Sequence, residues 1–558
     1  MLKHEPAWFK SAVLYQIYPR SFHDSNGDGV GDLAGITQKL DYLASQHDSL
    51  GVNAIWLSPF YPSPMADFGY DVTDYCDVDP VFGTLHDFKK LLHEAHKRGI
   101  KVVIDFIPNH TSDKHPWFKE SRASKDNPKR DWYVWKDAKP DGSPPNNWPA
   151  YFGGSAWEHD LATGQYYLHS FLPQQPDLNW ENPEVRKAMK EVIKFWLDLG
   201  VDGLRVDAVY YLSKDPQYRD NPPDLRTPDP NDFKWRYNRD GPRLYAHLRE
   251  IASVLKGYKN RFMVTEAYPE KWHNVVSYIR FYRDVAPSVS APFNFEGIEM
   301  NWDAKSFRSF ITRFQLKLHR NYVPVYTLGN HDKARLATRI GPAASRTAAM
   351  MLMTLPGMPI LYYGDELGMT NGLIKPSEVR DPFEIRVPGR GNGRDPERTP
   401  MQWNNGENAG FSTHQPWLPI PESYRHVNVA GESDEPYSML NLYKQLISMR
   451  NGLGVLKYGS YNTVILDDNV LGYQRKLDGD VATIVLNFSD KMVHIKSKHL
   501  NGKVMLSTYG DIEVNTPVSG RYTLRPNEGF ILHNVPAKIK TYAKPKPKPK
   551  NKRKKSNA

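Results

Sequence analysis

The order of local sequence patterns constrains the fold of this chain most strongly. Short apolar segments alternate with amphipathic stretches whose apolar residues recur every three or four positions and which end in glycine. Strands that alternate with helices favour a parallel sheet, because a parallel connection needs a crossover segment. Eight segments have strand character: AVLYQIYP, AIWLSP, KVVIDF, DGLRVD, RFMVTEA, PFNF, PVYTLG and PILYYGDE. The pattern therefore predicts an α/β fold, a (β/α)8 TIM barrel.

Two regions depart from this alternation. The segment from 110 to about 176 is rich in proline and glycine and is too long for an ordinary connection, so we expect an inserted domain B after the third strand. From about residue 461 the pattern alternates, as in VATIVLNFS, which predicts a C-terminal antiparallel β-sandwich domain. The expected divisions are the barrel at 1–109 and 177–455, domain B at 110–176, the C-terminal domain at 456–538 and a tail at 539–558.

Carboxylates follow or end four of the apolar segments, at Asp105, Asp207, Glu266 and Asp332. A parallel barrel presents the C-terminal ends of its strands on one face, where side chains from several strands converge. Cleavage of an acetal needs one ionised carboxylate, one protonated acid, and charge that stabilises an oxocarbenium-like transition state. A single Asp after an apolar run can equally be a helix N-cap or a turn residue. The four together predict a glycosidase.

The segments VVIDFIPNH, DGLRVDAV, FMVTEAYPE and LGNHDKAR resemble the conserved regions of the alpha-amylase superfamily, glycoside hydrolase family 13. The similarity runs from about residue 12 to about residue 535. It implies that Asp207 is the nucleophile, Glu266 the general acid/base and Asp332 the acid that binds sugar hydroxyls and stabilises the transition state. Arg205 lies two residues before Asp207, on the same strand face, where its fixed charge favours an ionised carboxylate. Asp105 is expected to support Arg205.

The same resemblance assigns further residues to substrate binding. His110 and His331 would donate hydrogen bonds to a bound sugar. Asp67 and Tyr70, in ADFGYDVTDY, resemble residues that hold and stack on a terminal glucose, and Arg394, in GRDPERTPMQW, resembles the arginine that pairs with that aspartate. Arg398, four residues further on, is the alternative for this arginine. An Asp–Arg pair at one end of a cleft would make a blind pocket, which admits only a chain end. The predicted action is therefore exo, with retention of the α-configuration.

The activity within this family is less narrowly defined by the sequence. The segment QPDLN is typical of the oligo-1,6-glucosidase branch, which indicates an alpha-glucosidase acting on short oligosaccharides of the maltose or isomaltose type. The residue after the nucleophile is Ala208, where this branch has Val in α-1,6 and Thr in α-1,4 enzymes, so the linkage stays open. RVDAVYYL resembles trehalose synthases, and a transglucosidase or isomerase of trehalose synthase or sucrose isomerase type is the alternative. A non-catalytic barrel scaffold is a further alternative, against which the complete carboxylate set argues.

Oxygen-bearing residues recur at every second position in the loop after the first strand. Asp24, Asn26, Asp28 and Asp32, with the carbonyl of Val30, could surround a hard cation, and the intervening glycines permit the tight curvature. The sequence predicts a structural Ca²⁺ or Mg²⁺ site, although an Asp/Gly turn without metal has the same composition. The resembling branch carries a similar loop. We expect no organic cofactor.

Charge and composition bear on location and partners. The formal net charge is +10, and eight of these charges lie between 544 and 555, in the Lys/Pro tail. Alternating Lys and Pro predict an extended, disordered segment, which could bind an anionic polymer or surface or simply be solvated. Cys76 is the only cysteine, and neither a secretory leader nor a run of ~20 apolar residues is present. The sequence therefore predicts a cytoplasmic enzyme, a monomer or dimer, with a small oligosaccharide as substrate.

Overall fold

The computed structural model describes residues 7–46, 48–225, 233–268 and 274–534. Within those ranges the strands are β1 (Leu14–Ile17), β2 (Ala54–Leu57), β3 (Lys101–Phe106), β4 (Trp135–Asp137), β5 (Trp157–Asp160), β6 (Gln165–Leu168), β7 (Gly203–Val206), β8 (Phe262–Thr265), β9 (Ser290–Pro292), β10 (Val325–Thr327), β11 (Met358–Tyr362), β12 (Ser460–Asp467), β13 (Val470–Leu477), β14 (Asp480–Asn487), β15 (Val493–Ser507), β16 (Pro517–Leu524) and β17 (Gly529–Asn534).

The α-helices of the same ranges include those that connect the barrel strands. They are α1 (Leu33–Gln38), α2 (Leu40–Leu43), α3 (Leu85–Lys97), α4 (Pro116–Ala123), α5 (Pro183–Leu199), α6 (Leu244–Lys256), α7 (Val275–Asp284), α8 (Glu296–Glu299), α9 (Ala304–Lys317), α10 (Leu336–Ile340), α11 (Pro342–Thr354), α12 (Pro382–Arg386), α13 (Val429–Asp434), α14 (Met439–Gly452) and α15 (Gly454–Tyr458). The helices of the described ranges are too short or too polar to cross a lipid bilayer.

Eight parallel strands form the predicted barrel. Their order is β10, β11, β1, β2, β3, β7, β8 and β9, and every neighbouring pair is parallel. A parallel bridge between Asn294 and Tyr326 joins the last strand to the first and closes the ring. The sixth strand lies at Ser290–Pro292 and overlaps the predicted PFNF only at Pro292. Further along PFNF, Asn294 forms the isolated bridge to Tyr326. The predicted (β/α)8 barrel is confirmed.

Local sequence explains where the barrel helices begin and end. Helix α3 starts with a capping box, in which the Thr84 hydroxyl accepts the N–H of Asp87 while the Asp87 carboxylate accepts the N–H of Thr84. Helix α5 has Asn182 as its N-cap and ends at Gly200, whose φ of 109° is a left-handed conformation that glycine adopts without steric cost. Both helices bury their apolar face against the barrel.

The segment inserted after β3 forms a small lobe. Strands β4, β6 and β5 pair antiparallel in that order. Their side chains enclose a separate apolar core that includes Trp148, Trp157 and Leu168. This arrangement places aromatic residues of the lobe beside the C-terminal edge of the barrel strands.

His115 makes the stability of this lobe sensitive to acid. Its Nδ1 accepts the N–H of Trp117 at 3.0 Å as the N-cap of α4, and burial lowers the pKa of His115 to about 3. In the unfolded chain this histidine binds a proton below about pH 6.5. Between about pH 6.5 and pH 3 the unfolded state therefore binds more protons than the folded state, and the unfolding free energy falls as the pH falls. We expect His115→Asn, which keeps the cap but does not titrate, to be less acid-sensitive by about 2 kcal/mol between pH 7 and pH 5. Denaturant unfolding of both proteins at the two pH values measures this difference, and identical pH dependence would contradict it.

The C-terminal strands form the predicted antiparallel domain. Their order is β12, β13, β14, β17, β15 and β16, and the sheet curves so that β12 contacts β15 around a second apolar core. Arg450 and Arg475 are fully buried between this sheet and the barrel, where their guanidiniums donate to backbone carbonyls at the end of α11 and just beyond it. The predicted Lys/Pro tail lies outside the described residues.

Candidate active site

Four charged side chains from three neighbouring strands, β3, β7 and β8, converge at the C-terminal edge of the barrel. Arg205 in β7 donates from Nη1 to Asp105 in β3 at 2.7 Å and to Asp207 at 2.6 Å. Its Nη2 lies 2.8 Å from Glu266, which follows β8 directly. All four side chains are buried. The predicted Arg205 contact is thus present, and the arginine holds Glu266 as well, which the sequence did not reveal.

The charge balance of this cluster favours a retained proton. Burial raises the pKa of Asp207 well above that of a free aspartate, and the charges of Glu266 and Asp105 add to the rise, while Arg205 opposes it. Burial likewise raises the pKa of Asp105 to about 6 against the attraction of Arg205. Three carboxylates around one guanidinium therefore hold at least one proton near neutral pH. A carboxyl pair that shares one proton can supply both an acid and a nucleophile.

Ala208 fixes the orientation of Glu266 through a strained backbone. Its φ of 45° is left-handed, a conformation that costs a residue with a Cβ about 1–2 kcal/mol. In this conformation the N–H of Ala208 donates to Oε2 of Glu266 at 2.9 Å, the same oxygen that Arg205 contacts. The hydroxyl of Tyr268 donates to Oε1 at 3.3 Å. Both carboxylate oxygens of Glu266 are therefore positioned.

Asp332 lies among arginines on the opposite side of the site. Arg398 donates to its Oδ1 at 2.8 Å, and Arg394 approaches the same oxygen at 3.4 Å. Although burial opposes ionisation, the interactions with His331 and with these guanidiniums hold the pKa of Asp332 below that of a free aspartate. Asp332 therefore keeps its negative charge throughout the neutral and mildly acidic range.

An ion-pair network closes one end of the site. Arg394 donates to Asp67 at 2.7 Å, as predicted, and also binds Asp381 at 2.5 Å. Gln175, within the QPDLN segment, donates to the other oxygen of Asp67 at 3.2 Å. The carboxylate of Asp67 is thus held from two sides, with only 3% of the residue exposed. This network forms the closed end of a blind pocket.

Tyr70 and the two histidines line the same closed end. The Tyr70 hydroxyl lies 2.7 Å from Nε2 of His331, and Nδ1 of His331 lies 2.8 Å from the amide of Gln16. Nε2 of His110 lies 3.1 Å from the carbonyl of Tyr70. Burial lowers the pKa of His331 well below 6.5 and that of His110 to about 4. Both imidazoles are neutral at neutral pH and can each donate one hydrogen bond.

The predicted catalytic and sugar-binding residues surround one cavity of about 300 Å³. Its mouth is marked by Tyr151, a residue of the inserted lobe that is 40% exposed, and by Arg239 and Lys333. Of the nine predicted catalytic and sugar-binding residues, only Arg205 is absent from the cavity wall, because it lies behind the carboxylates. Such a cavity, with apolar rings and a few convergent polar groups, is typical of a small-molecule site.

Several contributors were not predicted as site residues, among them Arg398, Asp381 and Tyr151. Arg398 is the alternative to Arg394 as the partner of Asp67, but in the structure Arg394 binds Asp67, whereas Arg398 binds Asp332 and the carbonyl of His331. Asp381 and Tyr151 carry no local signal, because Asp381 meets Arg394 within an irregular segment and Tyr151 reaches the site from the inserted lobe. The motif RTPMQW, which follows Glu397, was the one sequence feature that could have indicated Arg398.

The loop predicted to bind a cation is curled around Asp24. Both carboxylate oxygens of Asp24 accept backbone N–H groups, from Asn26, Gly27 and Gly29, and the Ser412 hydroxyl donates to one of them at 2.6 Å. Asp32 instead caps α1, where it accepts the N–H of Gly35. In the described part of the chain, no three His, Cys, Asp or Glu side chains are gathered as a metal cage. A cation here would depend on Asp24, Asn26, Asp28, the Val30 carbonyl and water.

The chain is similar to characterised carbohydrate-active enzymes over almost its whole length. The alpha amylase catalytic domain family matches residues 16–459. The oligo-1,6-glucosidase of Heyndrickxia coagulans is 39% identical over 91% of this chain and 97% of its own. The alpha-glucosyl transfer enzyme XgtA has a TM-score of 0.88, with 36% identity over 95% of this chain and 100% of its own. The trehalulose synthase MutB of Pseudomonas mesoacidophila MX-45 has a TM-score of 0.86, with 36% identity over 95% and 100%.

Proposed function

The chain belongs to the alpha-amylase family and is a glycoside hydrolase, and from this premise we propose that it is a retaining, exo-acting alpha-glucosidase of short oligosaccharides. One observation carries the proposal. Asp207 and Glu266 bind the two ends of a single guanidinium at the base of a pocket that the Asp67–Arg394 ion pair closes. The substrates would be of the maltose or isomaltose type, as the names of the curated relatives suggest.

In the first step, an oxygen of Asp207 attacks the anomeric carbon while the bond from that carbon to the leaving oxygen breaks. The proton of Glu266 passes to the leaving oxygen, which departs as a hydroxyl. In the second step, Glu266 takes a proton from water, and the water oxygen displaces Asp207 from the glucosyl-enzyme. Two displacements restore the α-configuration.

The closeness of the two carboxyls supports retention. Asp207 and Glu266 contact the same guanidinium, with Asp207 2.6 Å from Nη1 and Glu266 2.8 Å from Nη2 of Arg205. An inverting enzyme needs roughly 6.5–9.5 Å between its carboxyls so that water fits between them. The remaining charges support the same mechanism, because ionised Asp332 faces the region where positive charge develops in the transition state.

The closed end supports exo action. A chain that extended in both directions would have to pass through the Asp67–Arg394 pair, whose side chains are fixed by Gln175 and Asp381. Only a terminal glucosyl unit fits against this wall. The rest of the substrate then points toward the mouth beside Tyr151.

Glucosyl transfer is the second candidate, favoured by the solved structures of a glucosyl transfer enzyme and a trehalulose synthase. Hydrolysis and transfer share the first step and differ in whether water or a sugar hydroxyl attacks the glucosyl-enzyme. Incubation with maltose, isomaltose, sucrose, trehalose and maltotriose, followed by NMR, separates the two. Release of α-glucose from chain ends supports the proposal, whereas conversion of maltose to trehalose or of sucrose to an isomer identifies a transfer enzyme.

We also propose that the Asp24–Asp32 loop, which curls around Asp24, binds a structural Ca²⁺ or Mg²⁺. A ligand at about 100 times its Kd stabilises the folded state by about 2.7 kcal/mol. We therefore expect millimolar CaCl₂ or MgCl₂ to raise the Tm above that in EDTA, and expect Asp28→Ala to abolish the difference. Asp74→Ala, which alters another exposed Asx turn, is the control. An equal Tm in metal and in EDTA would contradict the site.

The cytoplasmic location, the monomeric or dimeric state and an anionic partner for the Lys/Pro tail stay predictions. Light scattering after size-exclusion chromatography measures the oligomeric state. Retention on a heparin column, compared with a chain that ends at residue 538, measures the contribution of the tail.

A further inference from the structure

A second cavity, of about 700 Å³, adjoins the glucosyl pocket. Tyr151, Asp332, Lys333 and Arg394 line both cavities. Asp67, Tyr70 and His110 of the closed end do not line the second cavity, although Arg394 of the closing ion pair does. Tyr151 and Lys333, which mark the mouth, line both cavities. The second cavity therefore reaches the mouth, where the aglycone of a bound glucoside extends.

One loop supplies an apolar wall to this cavity. Ile374, Val379, Phe383, Ile385 and Pro388 line it, and we call these five residues the apolar shelf. Ile385 is 62% exposed, so its aliphatic side chain faces solvent beside the active site. Apolar side chains that line one cavity together mark a binding site more often than a single exposed apolar residue does.

The polar side chains of the second cavity are largely engaged with the protein itself. The contacts are Asn371 to Glu397 at 3.3 Å, Glu384 to the N–H of Gly389 at 2.7 Å, Lys333 to Glu299 at 2.9 Å, and Asp395 to the N–H groups of Arg380 and Asp381 at 2.7 and 2.9 Å. Oδ1 of Asp395 is the exception, because it is buried without a hydrogen-bond partner in the described part of the chain. A sugar in this cavity would find a partner there and few others, and burying a hydroxyl without a partner is unfavourable. An alkyl chain needs no such partners.

The apolar shelf is held in place by the inserted lobe. The ring of Phe383 lies 5.7 Å from that of Tyr151 and 5.4 Å from that of Phe152, both in the inserted lobe. Arg386, at the end of α12, donates to the carbonyl of Gly153 at 3.2 Å. A surface fixed before binding loses little conformational entropy when a ligand covers it.

We propose that the apolar shelf binds the aglycone of alkyl α-glucosides, so that the enzyme cleaves glucosides of aliphatic alcohols in preference to methyl glucoside. The inference rests on the proposed function. The bond that breaks is the one between the anomeric carbon and the aglycone oxygen. The proton from Glu266 goes to that oxygen, the aglycone leaves as the free alcohol, and water then releases glucose.

The kinetic test compares methyl, butyl and octyl α-glucosides below their micellar concentrations. Each buried methylene strengthens binding by about fourfold, so partial burial of the octyl chain should raise kcat/KM at least about tenfold over methyl glucoside. Ile385→Ser and Val379→Thr should lower kcat/KM for the octyl substrate several-fold and leave that for the methyl substrate unchanged. Leu316→Ser, which alters an 81% exposed leucine on α9 outside both cavities, should change neither.

Equal kcat/KM along the series, or an Ile385→Ser effect of the same size on methyl and octyl substrates, would overturn the proposal. Calorimetric titration of Asp207→Asn with methyl and octyl α-glucoside measures binding without turnover, and we expect at least tenfold tighter binding of the octyl compound with a negative heat-capacity change. If the wild type releases glucose from no substrate at all, the proposed function fails. The same titration of the wild type then tests whether the apolar shelf binds an alkyl chain, and equal affinities for the methyl and octyl compounds overturn that proposal.

Discussion

Replacement of Asp207 by Asn should abolish turnover and leave the fold intact. The amide is nearly the same size as the carboxylate and can still accept from Arg205, but it cannot attack the anomeric carbon. Loss of a covalent nucleophile lowers kcat on the order of 10⁴-fold or more. The measurement is initial-rate hydrolysis of maltose and isomaltose, with circular dichroism and Tm as evidence for a retained fold.

Asp202→Asn is the matched control for this variant. Asp202 precedes the same strand, β7, at the opposite face of the barrel, where it binds His96 at 2.6 Å and Lys101 at 3.1 Å. Polar residues at that face contribute to stability, whereas those at the C-terminal face contribute to chemistry. We expect Asp202→Asn to lower the Tm with kcat nearly unchanged. Near-normal turnover by Asp207→Asn would remove Asp207 from the nucleophile role.

A second readout separates a nucleophile from a residue that only shapes the site. Asp207→Gly leaves space for a small anion beside the anomeric carbon. Azide in that space should attack an activated aryl α-glucoside and give β-glucosyl azide, because one displacement inverts the configuration. Removal of a residue with a purely structural role gives no such product. Absence of the β-glucosyl azide together with retained turnover would therefore contradict the assignment of Asp207 as nucleophile.

The barrel could be predicted from the sequence because its information is local. Each strand is a short apolar run followed by an amphipathic helix with its own cap, and this period does not depend on distant residues. The catalytic carboxylates were predictable for the same reason, since Asp207 and Glu266 directly follow β7 and β8. Topology then brings them together at one edge of the sheet.

The parts of the site that were missed depend on contacts made by irregular loops. Arg398 reaches Asp332 across 66 residues and Arg394 binds Asp381 within a long irregular segment, and neither contact has a periodic signal. The left-handed backbone of Ala208 is similarly hidden, because a glycine would have suggested a positive φ and an alanine does not. Local sequence patterns therefore fail to predict the strained backbone and the loop contacts of the site.

Replacement of Glu266 by Gln should have an effect that depends on the leaving group. The amide oxygen can take the place of Oε2, which accepts from Ala208 and Arg205, and the amide nitrogen then faces Tyr268. The pocket is thus preserved while the transferable proton is lost. We expect kcat/KM for maltose and isomaltose to fall about 10²–10⁴-fold, because a sugar alkoxide is a poor leaving group without protonation.

An activated substrate tests the acid role of Glu266 directly. A dinitrophenolate leaves without protonation, so Glu266→Gln should cleave dinitrophenyl α-glucoside with nearly the wild-type rate of the first step and then accumulate glucosyl-enzyme, because no base activates water. Mass spectrometry of the quenched protein detects the covalent intermediate. Glu366→Gln is the matched control, since Glu366 is a buried glutamate after β11 that binds Tyr15 and Tyr42 outside the pocket. Equal losses on maltose and on the dinitrophenyl substrate, or normal hydrolysis of maltose, would show that the acid is another group.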